Sequence, residues 1–202
     1  NKLWHFETKY GLSQTLSAEH NVIYYSQKNF KYQLSFLDFK DKIENTDYVP
    51  KFKTTFNYSG EGIDLTDSEI KLMCAVICDG SFYSYSKPNS DSWKTCRFHI
   101  KKERKKKRLV EIFNECGLPY REVQSANKDY TDFYVKAPRR EKEFTDYWYN
   151  CSNHQLQIIC DSILFWDGNE SVTENGKIRK RFSANVKATA DFIQFAFTAC
   201  GR

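Results

Sequence analysis

Asp79 and Asp167 share one local setting. Each closes an apolar run and precedes a glycine, in LMCAVICDG (72–80) and CDSILFWDG (160–168). A single Asp-Gly pair is a turn signal. Here the pair occurs twice, and each run is led by a capping box, Thr66 with Glu69 and Ser152 with Gln155. The pattern predicts two helices, each ending on a carboxylate. Side by side about a pseudo-twofold axis, such helices bring the carboxylates together. Adjacent carboxylates repel unless a cation lies between them. An all-oxygen donor set suits Mg2+, which activates water and stabilises a leaving oxygen. A twofold site of this kind matches the two strands of duplex DNA.

The elements that would carry these helices repeat along the chain. Arg97–Gly117 aligns without gaps on Arg181–Gly201, with Arg97/Arg181, Phe98/Phe182, Phe113/Phe197, Cys116/Cys200 and Gly117/Gly201 identical. The apolar positions 109, 112, 113 and 116 coincide with 193, 196, 197 and 200. Copy one reads helix, Asp-Gly, strands, helix over 102–116, Gly117, then a strand pair in LPYREVQ and DYTDFYVKAP. After Pro138 we expect a further helix with Phe144, Tyr147, Trp148 and Cys151 on one face. Copy two follows the same order up to its second helix. The expected domains are a β-rich segment over 1–62 and an α+β domain over 63–202. Within the latter, repeat one spans 63–151 and a shortened repeat two spans 152–202. In the first segment, HNVIYYSQ and FKYQLSFLDF both read as strands.

The 202 residues carry 31 Lys+Arg against 26 Asp+Glu, a net charge of +5. At 40% hydrophobic residues the chain has enough apolar content to fold. Its longest unbroken apolar run, Leu72–Cys78, is far shorter than the roughly 20 residues of a membrane-spanning helix. The seven cysteines include no C-x-x-C pair, which argues against a zinc ribbon or a thioredoxin-type site. Buried free thiols would suit a reducing cytosol. Positive charge concentrates in KKERKKKR (101–108), which reads as a solvated helix face, a phosphate-binding patch or a nuclear localisation signal.

The two Asp-Gly segments resemble the paired motifs of the LAGLIDADG homing endonucleases. The closer likeness is to single-chain, two-repeat members embedded in phage inteins, carried by GIDLTDSEIKLMCAVICDGSF and FSANVKATADFIQFAF. The resemblance covers about residues 60–202. It implies tandem αββαββα repeats whose sheets form saddles over double-stranded DNA. It also implies metal-dependent double-strand breaks by phosphodiester hydrolysis, with Asp79 and Asp167 as Mg2+ ligands. Trp166 departs from the small residues through which the family's motif helices pack. The family places a basic residue near the scissile phosphate. Lys101 is the candidate in copy one; its counterpart is Asn185, with Lys187 two residues on.

DNA contact should draw affinity from phosphate neutralisation and specificity from strand side chains in the major groove. The candidates are Lys87, Lys94, Arg97, Arg121, Gln124, Lys136, Lys177, Arg179 and Arg181. SAEHNVIYY (17–25) is similar to the T-x-x-H block of intein splicing (Hint) domains, with His20 in the histidine's place. Asn1 is not a splicing nucleophile, so the segment reads as a splicing-domain remnant. The expectation is therefore a homing endonuclease of a phage-infected host or bacterial cytosol, with a host protein or second polypeptide supplying the rest of copy two. The competing expectation is a catalytically inactive nucleic-acid-binding derivative, or an RNA maturase on the same fold.

Overall fold

In a computed structural model the protein is described except at residues 1, 8–12, 29, 49, 53–57, 84–91, 125–128, 173–175, 177 and 202. The fold mixes α and β and divides into two compact units, Asn1–Thr54 and Thr55–Arg202. That division falls earlier than the 62/63 boundary expected from sequence. The reason is local: Gly60 and Gly62 donate to the carbonyls of Cys151 and Asn150, and the Tyr58 hydroxyl donates to the Tyr149 carbonyl.

The first unit holds hairpin β1 (Leu3–Glu7)–β2 (Ser13–Ser17), hairpin β3 (Asn21–Tyr25)–β4 (Lys31–Ser35), and helix α1 (Phe36–Glu44). Its core is Leu16, Val22, Tyr24, Phe36 and Phe39. The strand expected to run through FLDF ends instead at Ser35. The Ser35 hydroxyl accepts from the Asp38 amide at 3.2 Å and donates to the Asp38 carboxylate at 2.6 Å, which starts a helix there.

The second unit runs α2 (Asp67–Asp79), β5 (Gly80–Phe82), β6 (Thr95–Ile100), α3 (Glu103–Glu115), β7 (Tyr120–Gln124), β8 (Thr131–Lys136), then α4 (Asn153–Asp167), β9 (Gly168–Val172), β10 (Ile178–Phe182) and α5 (Lys187–Ala199). Both capping boxes form. Gly117, at φ 62, ends the turn after α3 in the left-handed region. The helix expected after Pro138 is only a 3-10 turn, Asp146–Asn150. Tertiary bonds hold the preceding stretch in an irregular, bent path: Trp148 Nε1 donates to Glu141, Arg140 to the carbonyls of Trp93 and Tyr83, and Lys142 to α2. Phe144, Trp148 and Cys151 are nevertheless buried.

The four-stranded antiparallel sheet has order β5-β6-β8-β7. Cys96, Phe98, Phe133 and Val135 point into the core, where Phe113 of α3 meets Tyr120 and Phe133. α2 is buried almost all round, because it packs chiefly on α4 and also on β5, β6 and α3. Among the described residues β10 pairs only with β9. None of the described helices is long and apolar enough to cross a membrane.

Candidate metal and nucleic-acid site

α2 and α4 run parallel. Near their first turns His154 Nε2 lies 2.9 Å from Asp67 Oδ2. The Gln155 amide also spans the two starts, accepting from the Ile63 amide and donating to the Ile63 carbonyl, each at 2.9 Å. At the other end both helices stop on their aspartate, and each strand begins at once on the following glycine. Those glycines have φ near −76 and −86, which any residue tolerates. What excludes a side chain is contact. A Cβ on Gly80 would lie 2.5 Å from Cys96 Sγ and 2.7 Å from the Val76 carbonyl oxygen. A Cβ on Gly168 would lie 2.1 Å from the Leu164 carbonyl oxygen.

This geometry brings Asp79 and Asp167 to one place. The ammonium of Lys105, in the first turn of α3, lies 2.6 Å from Asp79 Oδ2 and 3.9 Å from Asp167 Oδ1. Lys105 is 8% exposed. Its Nζ lies 5.9 Å from the ring centre of buried Trp166, the bulky departure in the second motif. A second ammonium flanks the site. Lys142 Nζ donates to the carbonyls of Val76 and Ile77 at 2.6 and 2.7 Å, in the last turn of α2. The residue keeps part of its surface in solvent, yet desolvation lowers its pKa against the pull of Cys96, Cys78, Asp79 and Asp167. Burial pushes the Cys78 thiol up, and the negative charge of Asp167, to which it hydrogen-bonds, pushes it further. A cleft of about 60 Å3 beside Asp167 is lined by Cys78, Lys142, Phe182, Asn185 and Thr189.

Two carboxylates already disposed around a cation fit a Mg2+ site. Mg2+ binds through one or two carboxylates and keeps water or phosphate oxygens for the rest. Asp167 is 38% exposed at its side chain, so such ligands have access. Among the described residues no group of three or more His, Cys, Asp or Glu converges on one point.

The other sequence candidates spread out. Lys101 pairs with Asp129 at 2.8 Å, which raises its pKa and lowers that of Asp129, on an open surface. Lys187 pairs with Asp191 one turn on in α5. Neither is the ammonium at the aspartates; Lys105 is, with Lys142 bound to the last turn of α2. Lys105 was legible in retrospect. It stands four residues before buried Leu109 and seven before Ile112, on the inward face of α3. Lys142 carried no sequence signal, because it lies in an irregular segment that reaches α2 only through its tertiary bonds.

Arg97 lies on the solvent face of the four-stranded sheet, with His99, Asp132, Tyr134 and Arg121. Arg97 Nε and Nη2 donate to the two oxygens of Asp132, each at 3.1 Å, and His99 Nδ1 lies 2.7 Å from Oδ1. Burial opposes ionisation of Asp132, but the hydrogen bonds from His99 and Arg97 outweigh it and hold its carboxyl below the ordinary range. His99 stacks on Tyr130 at 4.3 Å, and the Arg121 guanidinium lies 4.3 Å over the Tyr134 ring. Lys136 is exposed at the end of β8. Lys94 donates to the Pro138 carbonyl, and Gln124 to the Tyr130 carbonyl. Arg181 is exposed in β10, and Arg179 sits in the same strand opposite Ser171. Lys87 and Lys177 lie outside the described residues. His20 belongs to the other unit, in an exposed turn where its amide donates to the Ser17 carbonyl. The chain matches no protein-family model, and no curated protein is significantly similar to it.

Proposed function

We propose that the chain is a Mg2+-dependent, site-specific DNA endonuclease of the two-repeat LAGLIDADG type, with an intein-like first unit. The observation that carries this reading is the meeting of Asp79 and Asp167, from the ends of two parallel capped helices, around one cationic group. A bound Mg2+ would activate water and stabilise the leaving oxygen of a phosphodiester. The protein's part is positioning. The α2–α4 pair fixes the carboxylates, Gly80 and Gly168 let each strand leave its helix without a gap, and Lys142 holds positive charge beside them. Lys105 and Lys142 take the place in this account that Lys101 and Lys187 held in the sequence reading. The face bearing Arg97, Arg121, His99 and Tyr134 supplies cationic and aromatic contacts suited to a nucleic-acid backbone and bases. Seven free thiols suit a reducing compartment, and we place the protein in the cytoplasm of a bacterium or phage-infected host.

The second half has an open flank. β10 offers an unpaired edge among the described residues. Beside it lies a cavity of about 950 Å3, lined by Arg104, Leu164, Phe165, Ile178, Lys180 and Phe197. Phe197 aligns with Phe113, which in the first half is covered by the β7–β8 hairpin. A β-hairpin seated there would cover Phe197 as β7–β8 covers Phe113. The alternative reading is a nucleic-acid-binding derivative lacking cleavage.

The test is nicking or cutting of plasmid DNA. Cleavage should need Mg2+ and vanish in Asp79→Asn and Asp167→Asn, with DNA affinity largely kept. Unchanged cutting in both variants would refute the assignment. Tight binding without metal-dependent cutting in the native chain would select the alternative.

A further inference from the structure

We propose that the Lys105 ammonium is a built-in counter-cation that occupies the seat between Asp79 and Asp167 and must leave it before a divalent ion can enter. The proposal rests on the reading of those aspartates as cation ligands. Three observations single Lys105 out from the basic run around it. It alone among Lys101–Arg108 is a buried base, whereas Lys106 and Arg108 pair with Glu103 and Glu111 on their own helix. Its Nζ is within 4 Å of both carboxylates. It also sits in the first turn of α3, where the helix dipole disfavours a positive charge, so the carboxylates must offset that position.

Burial makes the arrangement consequential. Two carboxylates at the ends of fixed helices cannot move apart to relieve repulsion. One ammonium neutralises one of the two charges and holds the pair together in the absence of metal. A dication entering the same seat meets a like charge within a few ångströms. Cation binding and the Lys105 bridge are therefore mutually exclusive. The device is one-sided. The repeat counterpart of Lys105 is Thr189 in α5, buried, with its hydroxyl accepting from the Phe144 amide. Lys142 is not the displaced group, because its ammonium is anchored on two α2 carbonyls. Trp166 forms an apolar wall beside Lys105, so the ammonium's way out is away from it.

The experiment measures Mn2+ binding to the full chain by electron paramagnetic resonance, without DNA, and thermal stability with and without Mn2+. Lys105→Met should bind Mn2+ about tenfold more tightly than the native protein. It should melt earlier without metal and regain stability with it. Lys105→Arg, which keeps the bridge, should bind as the native chain does. Loss of binding in Asp79→Asn and Asp167→Asn, with Lys105→Met unchanged or weaker, would overturn the counter-cation and leave the carboxylate site standing. Undiminished binding in both aspartate variants would overturn the carboxylate reading itself. Should Lys105→Met fail to fold, lysine-selective NMR of the native chain decides. The Lys105 Nζ resonance should move on saturation with Mg2+, and a resonance that stays put contradicts the proposal.

Discussion

Replacing Gly168 by alanine should be among the most damaging small substitutions in the second unit. The backbone dihedrals at Gly168 are ordinary, so no conformational strain arises. The added methyl would sit 2.1 Å from the Leu164 carbonyl oxygen and 2.6 Å from the Leu164 Cα. Both are atoms of the helix's own backbone and cannot rotate aside. The contact has to open by the better part of an ångström, which moves the last turn of α4 or the start of β9. Overpacking of this kind typically costs about 1–3 kcal/mol, and a backbone obstacle argues for the upper end. Gly117 supplies the control. It has φ 62 and nothing within 4 Å of a built Cβ, so alanine there meets strain without collision and should cost about 1 kcal/mol. Urea unfolding followed by circular dichroism would measure both. Because the displaced turn carries Asp167, Gly168→Ala should also weaken Mn2+ binding, whereas Gly117→Ala should not. Equal stabilities for Gly168→Ala and the native chain, or a larger loss at Gly117, would refute the reasoning.

Three further outcomes follow from the same geometry. Asp132→Asn removes the charge that holds Arg97 and His99 and should cost roughly 1–2 kcal/mol, discounted because Arg97 is part-exposed. Since the folded pKa of Asp132 lies below the usual 3.8, its contribution is complete above that pH and fades as pH falls through the folded value. Acid unfolding of the native chain and the variant should therefore converge below it. On DNA, Arg121→Ala should reduce the slope of log affinity against log salt by about 1, measured by fluorescence anisotropy. Arg97→Ala should change it less, because Asp132 already neutralises that guanidinium. Phe113→Ala should cost about 3–5 kcal/mol, and Phe197→Ala markedly less, since Phe197 lines an open cavity; equal losses in chemical denaturation would argue against the open half.

Much of the second unit was legible in its sequence, and the reasons are local. Both capping boxes, the helix over 103–115 with its terminal glycine, and the β7–β8 pair rest on residues close in the chain. The joint placement of Asp79 and Asp167 was legible because each closes a capped apolar helix and the two helices are repeat-related. α1 was hidden because Ser35 and Asp38 interrupt what reads as a strand alternation. The segment after Pro138 misled because Phe144, Trp148 and Cys151 are buried without being helical, held by Glu141 and Lys142. The Glu141 bond to Trp148 has no helical spacing, and the Lys142 bonds reach back to α2, so neither leaves a periodic trace. The same holds for Lys105, whose inward face was written in the spacing while the identity of its partner was not.

The most direct test of the central claim is anomalous diffraction from crystals of the full chain grown with Mn2+. The account predicts one strong peak bonded to a carboxylate oxygen of Asp79 and one of Asp167, with the Lys105 ammonium moved out of that seat. A metal bound elsewhere, or the two carboxylates apart with no ion between them, would contradict it.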